Sequence, residues 1–189
     1  MEQQKMRKCL KLLTLLISSL LIATVSSQVY NYMFMDATVG VETTGMSFVE
    51  GTNPNFTETG GELFDNNQRV TFSGMNGTPG SPVNYSEPVM INNADTDAAG
   101  HDIELVLDSW TGDAEPNLYN ITISMYNSTN TQQGNSIVLV PGGVGQVETS
   151  TDVNIGPSTS WRVEWIVWWN GNATTTDSVQ VSLQLVVKS

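Results

Sequence analysis

Cysteine, histidine and positive charge are nearly absent from this 189-residue chain. The one cysteine is Cys9 and the one histidine is His101, so no Cys/His cluster can hold zinc and no Cys–His pair can act as a nucleophile. A Ser–His–Asp set would need His101, which reads as an ordinary residue of the loop Asp95–Asp102, and no nucleophile-elbow serine is there to partner it. Helical periodicity is missing as well, so no glycine-rich phosphate loop leads into a helix. Two carboxylates across a cleft would suit glycoside hydrolysis, but a chain with 19 acidic residues makes such pairs by chance. Asp95, Asp97 and Asp102 offer oxygen ligands for calcium without the spacing of an EF-hand. The expectation is a non-enzyme with no catalytic residue, no cofactor and no metal site.

What is present begins at the N-terminus. Lys5, Arg7, Lys8 and Lys11 precede an apolar run, Leu12–Val25, and Val25-Ser26-Ser27 offers small residues for cleavage. The run is shorter than the roughly 20 residues of a membrane-spanning helix. Residues 1–27 are therefore expected to be a signal peptide, and Gln28–Ser189 the mature domain. Cys9 leaves with the signal, so no disulfide is expected. The mature chain keeps three basic residues, Arg69, Arg162 and Lys188, against 18 acidic ones, a net of −15. That charge repels nucleic acid and anionic membrane and helps keep an exported protein soluble.

Directly after the expected cleavage site stands Val29-Tyr30-Asn31-Tyr32-Met33-Phe34-Met35, apolar on both faces of an extended chain. A new N-terminus is normally polar and frayed. This one needs burial, either in its own fold or in a neighbour's.

Elsewhere apolar residues alternate with a period of two, as in half-buried strands. Ile103, Leu105 and Leu107 share one face; so do Tyr119, Ile121, Ile123 and Met125, and Val179, Val181, Leu183, Leu185 and Val187. Trp161, Val163, Trp165, Val167 and Trp169 fit a strand with Arg162 and Glu164 opposite, and β-branched and aromatic residues favour that state over a helix. Shorter strands are expected at Arg69–Ser73, Val83–Ile91, Ser136–Val140 and Val147–Ile155, with residues 51–67 as a long surface loop. About eight to ten strands without βαβ rhythm imply one all-β domain, an antiparallel β-sandwich or jelly roll.

Six sequons match the N-glycosylation pattern, at Asn55, Asn76, Asn84, Asn120, Asn127 and Asn172. Chance would give about three in so Asn- and Thr-rich a chain. Asn120 lies on the polar face of its strand and Asn172 in an expected hairpin turn, both places a sugar could occupy.

An N-terminal strand Val29–Glu42, then Tyr85–Asn93, then core strands Ile103–Leu107 and Tyr119–Met125, the turn Pro141-Gly142-Gly143, and a closing hairpin of Trp161–Trp169 with Ser178–Val187 follow a recognisable order. That order resembles the TasA/camelysin biofilm-fibre family and its archaeal relatives, the bundling-pilus subunits. The sequon content leans toward an archaeal surface filament. The resemblance implies a jelly-roll subunit of an extracellular pilus, thread or biofilm-matrix fibre that polymerises by donor-strand complementation. The partner is then another copy of the chain, with neighbouring filaments in bundles. Residues 28–42 become the donor strand, with Met33, Met35, Ala37, Val39 and Val41 in one row and Tyr30, Tyr32 and Phe34 in the other, after Val29. The alternative is a monomeric secreted adhesin or carbohydrate-binding sandwich, with Trp110 or Trp168 as a stacking surface.

Overall fold

The alternation of apolar and polar residues reappears as strands in the structure, a computed structural model that describes residues 45–75, 78–96, 100–112, 115–174 and 176–188. The chain divides into two compact units, Met1–Glu42 and Thr43–Ser189, and all described residues belong to the second. The strands are β1 Met46–Asn53, β2 Gly61–Phe64, β3 Arg69–Phe72, β4 Pro82–Asn93 and β5 His101–Trp110. They continue as β6 Leu118–Tyr126, β7 Gln132–Leu139, β8 Val153–Ile155, β9 Thr159–Trp169 and β10 Val181–Lys188. Two five-stranded antiparallel sheets result, ordered β1-β4-β9-β6-β7 and β2-β3-β10-β5-β8. The all-β sandwich is thus as expected.

The pairing is nested. β6 pairs with β7, β5 with β8, β4 with β9 and β3 with β10, so Arg69–Lys188 forms one long hairpin of two four-strand arms. Pairing of β10 with β5 and of β9 with β6 then rolls that hairpin into two sheets. This is the jelly-roll order. β1 and β2 extend it, one at an edge of each sheet, on β4 and β3.

β9 anchors the core. Trp161, Val163, Trp165, Val167 and Trp169 are buried, while Arg162, Glu164, Ile166 and Trp168 face outward. Trp165 meets Phe72 of the opposite sheet in a T-shaped contact with centroids 4.9 Å apart, and Phe72 meets Phe56 in the same manner at 5.5 Å. Each such pair adds roughly 0.5–1.5 kcal/mol beyond the area it buries.

Four expectations are corrected. Residues 51–67 are not one loop: they hold the end of β1 and all of β2, and Phe56 between them is in the core. Gly61 N–H (3.0 Å) and Thr59 Oγ1 (2.7 Å) donate to the Phe56 carbonyl and close that turn. Of Val147–Ile155 only the last three residues form a strand. Val147 bridges Val138 of one sheet and Thr149 bridges Val106 of the other, so the segment crosses between sheets. Nor do β9 and β10 form a hairpin, since each lies in the middle of a different sheet. Tyr119 leaves the inward row because the ladder between β6 and β9 shifts register between Leu118 and Asn120, which buries Leu118 instead.

Trp165→Ala should cost about 3–5 kcal/mol in urea unfolding. In the same non-glycosylated protein, Trp168→Ala on the outward face should cost less than about 1.5 kcal/mol. Equal losses at the two positions would contradict this core.

Candidate assembly edge and sugar-bearing face

The segment expected to donate a strand, with Val29, Tyr30, Tyr32, Met33, Phe34, Met35, Val39 and Val41, lies outside the described residues, as do the expected signal peptide and Asn76. The edge to which a strand could be added is described. β10 pairs with β5 throughout Val181–Lys188 but with β3 only over Val181–Gln184. β3 begins at Arg69 because the chain reverses just before it, through Asp65, Asn66 and Asn67 at φ 53°, 56° and 64°. Asp and Asn tolerate this left-handed region better than other non-glycine residues. Gln68 N–H donates to the Asp65 carbonyl at 3.1 Å and closes the turn.

That turn then stitches the two sheets together. Phe48 N–H of β1 donates to the Asn67 carbonyl at 2.6 Å, and Leu185 N–H of β10 donates to the Gln68 carbonyl at 2.8 Å. Beyond this point no strand among the described residues pairs with β10 on the β3 side. Since alternate residues of a strand point their backbone groups the same way, the N–H and C=O of Val187 face that open side. The side chains of Leu185 and Val187 pack on the core. An edge of this kind, with unpaired backbone groups above an apolar lining, is a template for another strand.

The open half of β10 and the start of β1 lie at one end of the sandwich. There Asn93, at the end of β4, donates through Nδ2 to the carbonyls of Ile155 (3.2 Å) and Gly156 (2.9 Å), and Asp95 N–H donates to its Oδ1 at 3.1 Å. Asp95 Oδ2 accepts from Gly45 N–H at 3.2 Å and lies 2.6 Å from His101 Nε2. His101 therefore is not a loop residue: it opens β5 and holds Asp95 against the first turn into β1. The next residue, Asp102, sits opposite Lys188 and accepts from Asn154 Nδ2 at 2.9 Å. Among the described residues no three Asp, Glu, His or Cys side chains converge as a metal site, and Asp97 lies outside them.

The described sequons fall in three settings. Asn55 and Asn127 sit in turns, where Asn55 Oδ1 accepts from Thr57 N–H at 3.0 Å and Asn127 Oδ1 from the amides of Thr129 (3.1 Å) and Thr131 (2.9 Å). Asn172 is exposed in the β9–β10 connection, which is not the expected hairpin turn. Asp177 ties this connection to the β5–β6 loop by accepting from Thr174 N–H at 2.8 Å and Asn117 Nδ2 at 3.0 Å. The Thr174 amide first, and Asn117 second, hold the Asp177 carboxyl below the usual carboxylate range.

Asn84 and Asn120 share the third setting, the outer face of the first sheet. Cross-strand register places Asn120 opposite Trp168 and Asn84 opposite Ile166, on either side of β9. The register shift that buries Leu118 turns Tyr119 out onto Trp168, with ring centroids 4.5 Å apart. These are two of the most exposed large apolar side chains described, at 56% for Tyr119 and 39% for Trp168. Trp110, the other expected stacking residue, is instead half-buried against the core. Farther along β9, Arg162 pairs with Glu164 at 2.8 Å, donates to the Ser86 carbonyl at 2.9 Å and lies 4.2 Å above the Tyr126 ring. The only two charges facing outward from β6 and β9 thus neutralise each other.

A Cβ at residue 45 would run into the Asp95 carboxylate and lie 2.9 Å from the Asp95 backbone nitrogen. Gly45→Ala should therefore cost about 1–3 kcal/mol in chemical denaturation, and less than that when introduced into Asp95→Ala, which removes the carboxylate but not the backbone nitrogen. For Asp177 the folded pKa lies below the unfolded one, so its contribution is complete at neutral pH and fades as pH falls through the folded value. NMR titration of its carboxyl should give a midpoint below that of free aspartate, and Asn117→Ala should move it back up.

No protein-family model and no curated protein matches this sequence. Among solved structures, one described as "Crystal Structure of FeII HppE in Complex with Substrate Form 2" aligns at 10% identity over 66% of this chain. The chain spans only 54% of that structure, and with a TM-score of 0.16 the likeness carries no argument about fold or activity.

Proposed function

We propose that this chain is the structural subunit of an extracellular filament, exported through its N-terminal signal and joined head to tail. In this reading Val29–Glu42 of one copy forms a strand beside β10 of the next. The observation that supports it is the half-covered β10: a central strand that, among the described residues, has no partner strand beyond Gln184 on its β3 side, where Val187 turns its backbone groups outward above side chains of the core. An added strand there gains main-chain hydrogen bonds along the edge, while alternate side chains enter the apolar lining. A contact between two different surfaces of one subunit does not close on itself and so propagates as a fibre. The resemblance to the TasA/camelysin fibres and archaeal bundling pili leads to the same reading. The products are a glycoprotein pilus, thread or biofilm-matrix fibre on the cell surface, filaments that bundle with one another, and no enzymatic activity.

A second reading has one observation in its favour. The exposed Tyr119–Trp168 pair suits a monomeric secreted adhesin or carbohydrate-binding sandwich.

Deleting Gln28–Val41 should abolish filaments and leave an exported chain that clumps. Adding peptide Val29–Glu42 at a hundred times its Kd should raise the Tm of that variant by about 5–10 °C, since a ligand of the folded state stabilises it by mass action. Phe34→Asp should impair polymerisation more than export, because the charge enters the groove without a partner. Filaments from the deletion variant, or a full-length chain that stays monomeric when concentrated, would overturn the assembly reading in favour of the adhesin.

A further inference from the structure

We infer that the outer face of the first sheet is a carbohydrate contact surface for the chain's own sugars, in which N-glycans on Asn84 and Asn120 pack over the Tyr119–Trp168 pair. The inference rests on the reading that the chain is exported, and on no assumption about filaments.

Three observations converge. First, two sequons reach the same patch from separate strands: Asn84 is on β4 and Asn120 on β6, and β9 between them presents Ile166 and Trp168 to both. Nothing in the local sequence around either asparagine would bring them together. Secondly, the side-chain nitrogens of Asn84 and Asn120, like those of the other described sequons, hold no hydrogen bond among the described residues. A side-chain nitrogen that holds no structural contact can be modified without cost to the fold. Thirdly, the patch is apolar in a strongly acidic chain. Pro82, Trp168 and Asn120 form one cross-strand row, and Asn84, Ile166, Thr122 and Val138 form the next, with no charged residue in either.

A pair of stacked, solvent-facing aromatic rings on a sheet face marks a contact surface. The C–H faces of a pyranose ring are apolar and match an indole or phenol face, while the sugar's hydroxyls remain in water. A sugar attached at Asn120 starts directly beside Trp168, so its first residue reaches the rings without a long linker. Attachment also removes the translational cost that a free sugar would face. The pair would then be covered in the finished glycoprotein, which separates this reading from a lectin-like platform open to foreign sugars.

The test uses protein recovered from the surface or medium of its own cells. Glycopeptide mass spectrometry should find glycan on Asn84 and Asn120. Asn84→Gln/Asn120→Gln should lower the Tm by about 2–4 °C in the native background. In a Tyr119→Ser/Trp168→Thr background the same pair of changes should lower it by less than half as much, since the aromatic partner is gone. Both aromatic side chains are outside the core, so these variants keep the fold, which circular dichroism checks. Bare Asn84 and Asn120 in exported protein, or equal Tm losses in the two backgrounds, would overturn the inference. So would binding of the released oligosaccharide to the native glycoprotein that Trp168→Thr abolishes, because the patch would then be open to external sugar. Filaments with both asparagines bare would sink this inference alone, and a glycosylated monomer that meets the Tm criterion would sink the filament reading alone.

Discussion

A strand in the middle of a sheet has two edges of backbone groups to satisfy, and this sandwich turns on how fully its two central strands do so. β9 is paired by β4 from Thr159 to Trp168 and by β6 from Arg162 to Trp169. Its inward Trp and Val residues add more side chains to the core than any other strand. β10 is paired in full by β5 but only over its first half by β3. The difference traces to a local cause, the Asp65–Asn67 turn, whose carbonyls at Asn67 and Gln68 receive Phe48 and Leu185. The same turn that stitches the sheets together also ends the cover on β10. Among the described residues, the tie between the sheets and the uncovered end of β10 both come from one short run of Asn and Asp.

The surfaces divide the same molecule by charge. On the second sheet Arg69 reaches Asp65 and Asp108, and Lys188 reaches Glu104 and Asp152; the two carboxylates raise the Lys188 pKa. These are exposed pairs, worth little singly. On the first sheet β6 and β9 carry one self-neutralising pair, Arg162 and Glu164, and otherwise show Tyr, Trp, Ile, Thr and Asn to solvent. Like charge keeps most of the surface apart from its neighbours. The patch around Tyr119 and Trp168 has no such charge, and sugar on Asn84 and Asn120 is its proposed cover.

Much of the fold was legible in the sequence because alternation is a local signal. It identified β5 and β10, while composition rather than period resolved the Trp-rich segment of β9 in favour of strand. What was not legible depends on partners far along the chain. The four residues of β2 are too few to register as alternation among Gly, Thr and Asn. The register shift at Leu118–Asn120 inverts Tyr119, and the expected inward row gave no sign of it. β9 and β10 read as a hairpin because both alternate and are joined by a turn, although each belongs to a different sheet. The sequons were visible one by one, but that Asn84 and Asn120 flank Trp168 follows only from register. His101 read as a bystander because nothing in the local sequence shows that Asp95, six residues earlier, lies within hydrogen-bond reach of its ring.

The central claim is that the apolar segment after the signal completes the next subunit's sheet. Helical reconstruction of filaments taken from the cell surface tests it most directly. The account predicts Val29–Glu42 of one subunit hydrogen-bonded to the β10 edge of its neighbour at Val187, with alternate side chains turned into that neighbour's core. Finding the segment paired with β10 of its own subunit, or filaments joined through other surfaces, would contradict it.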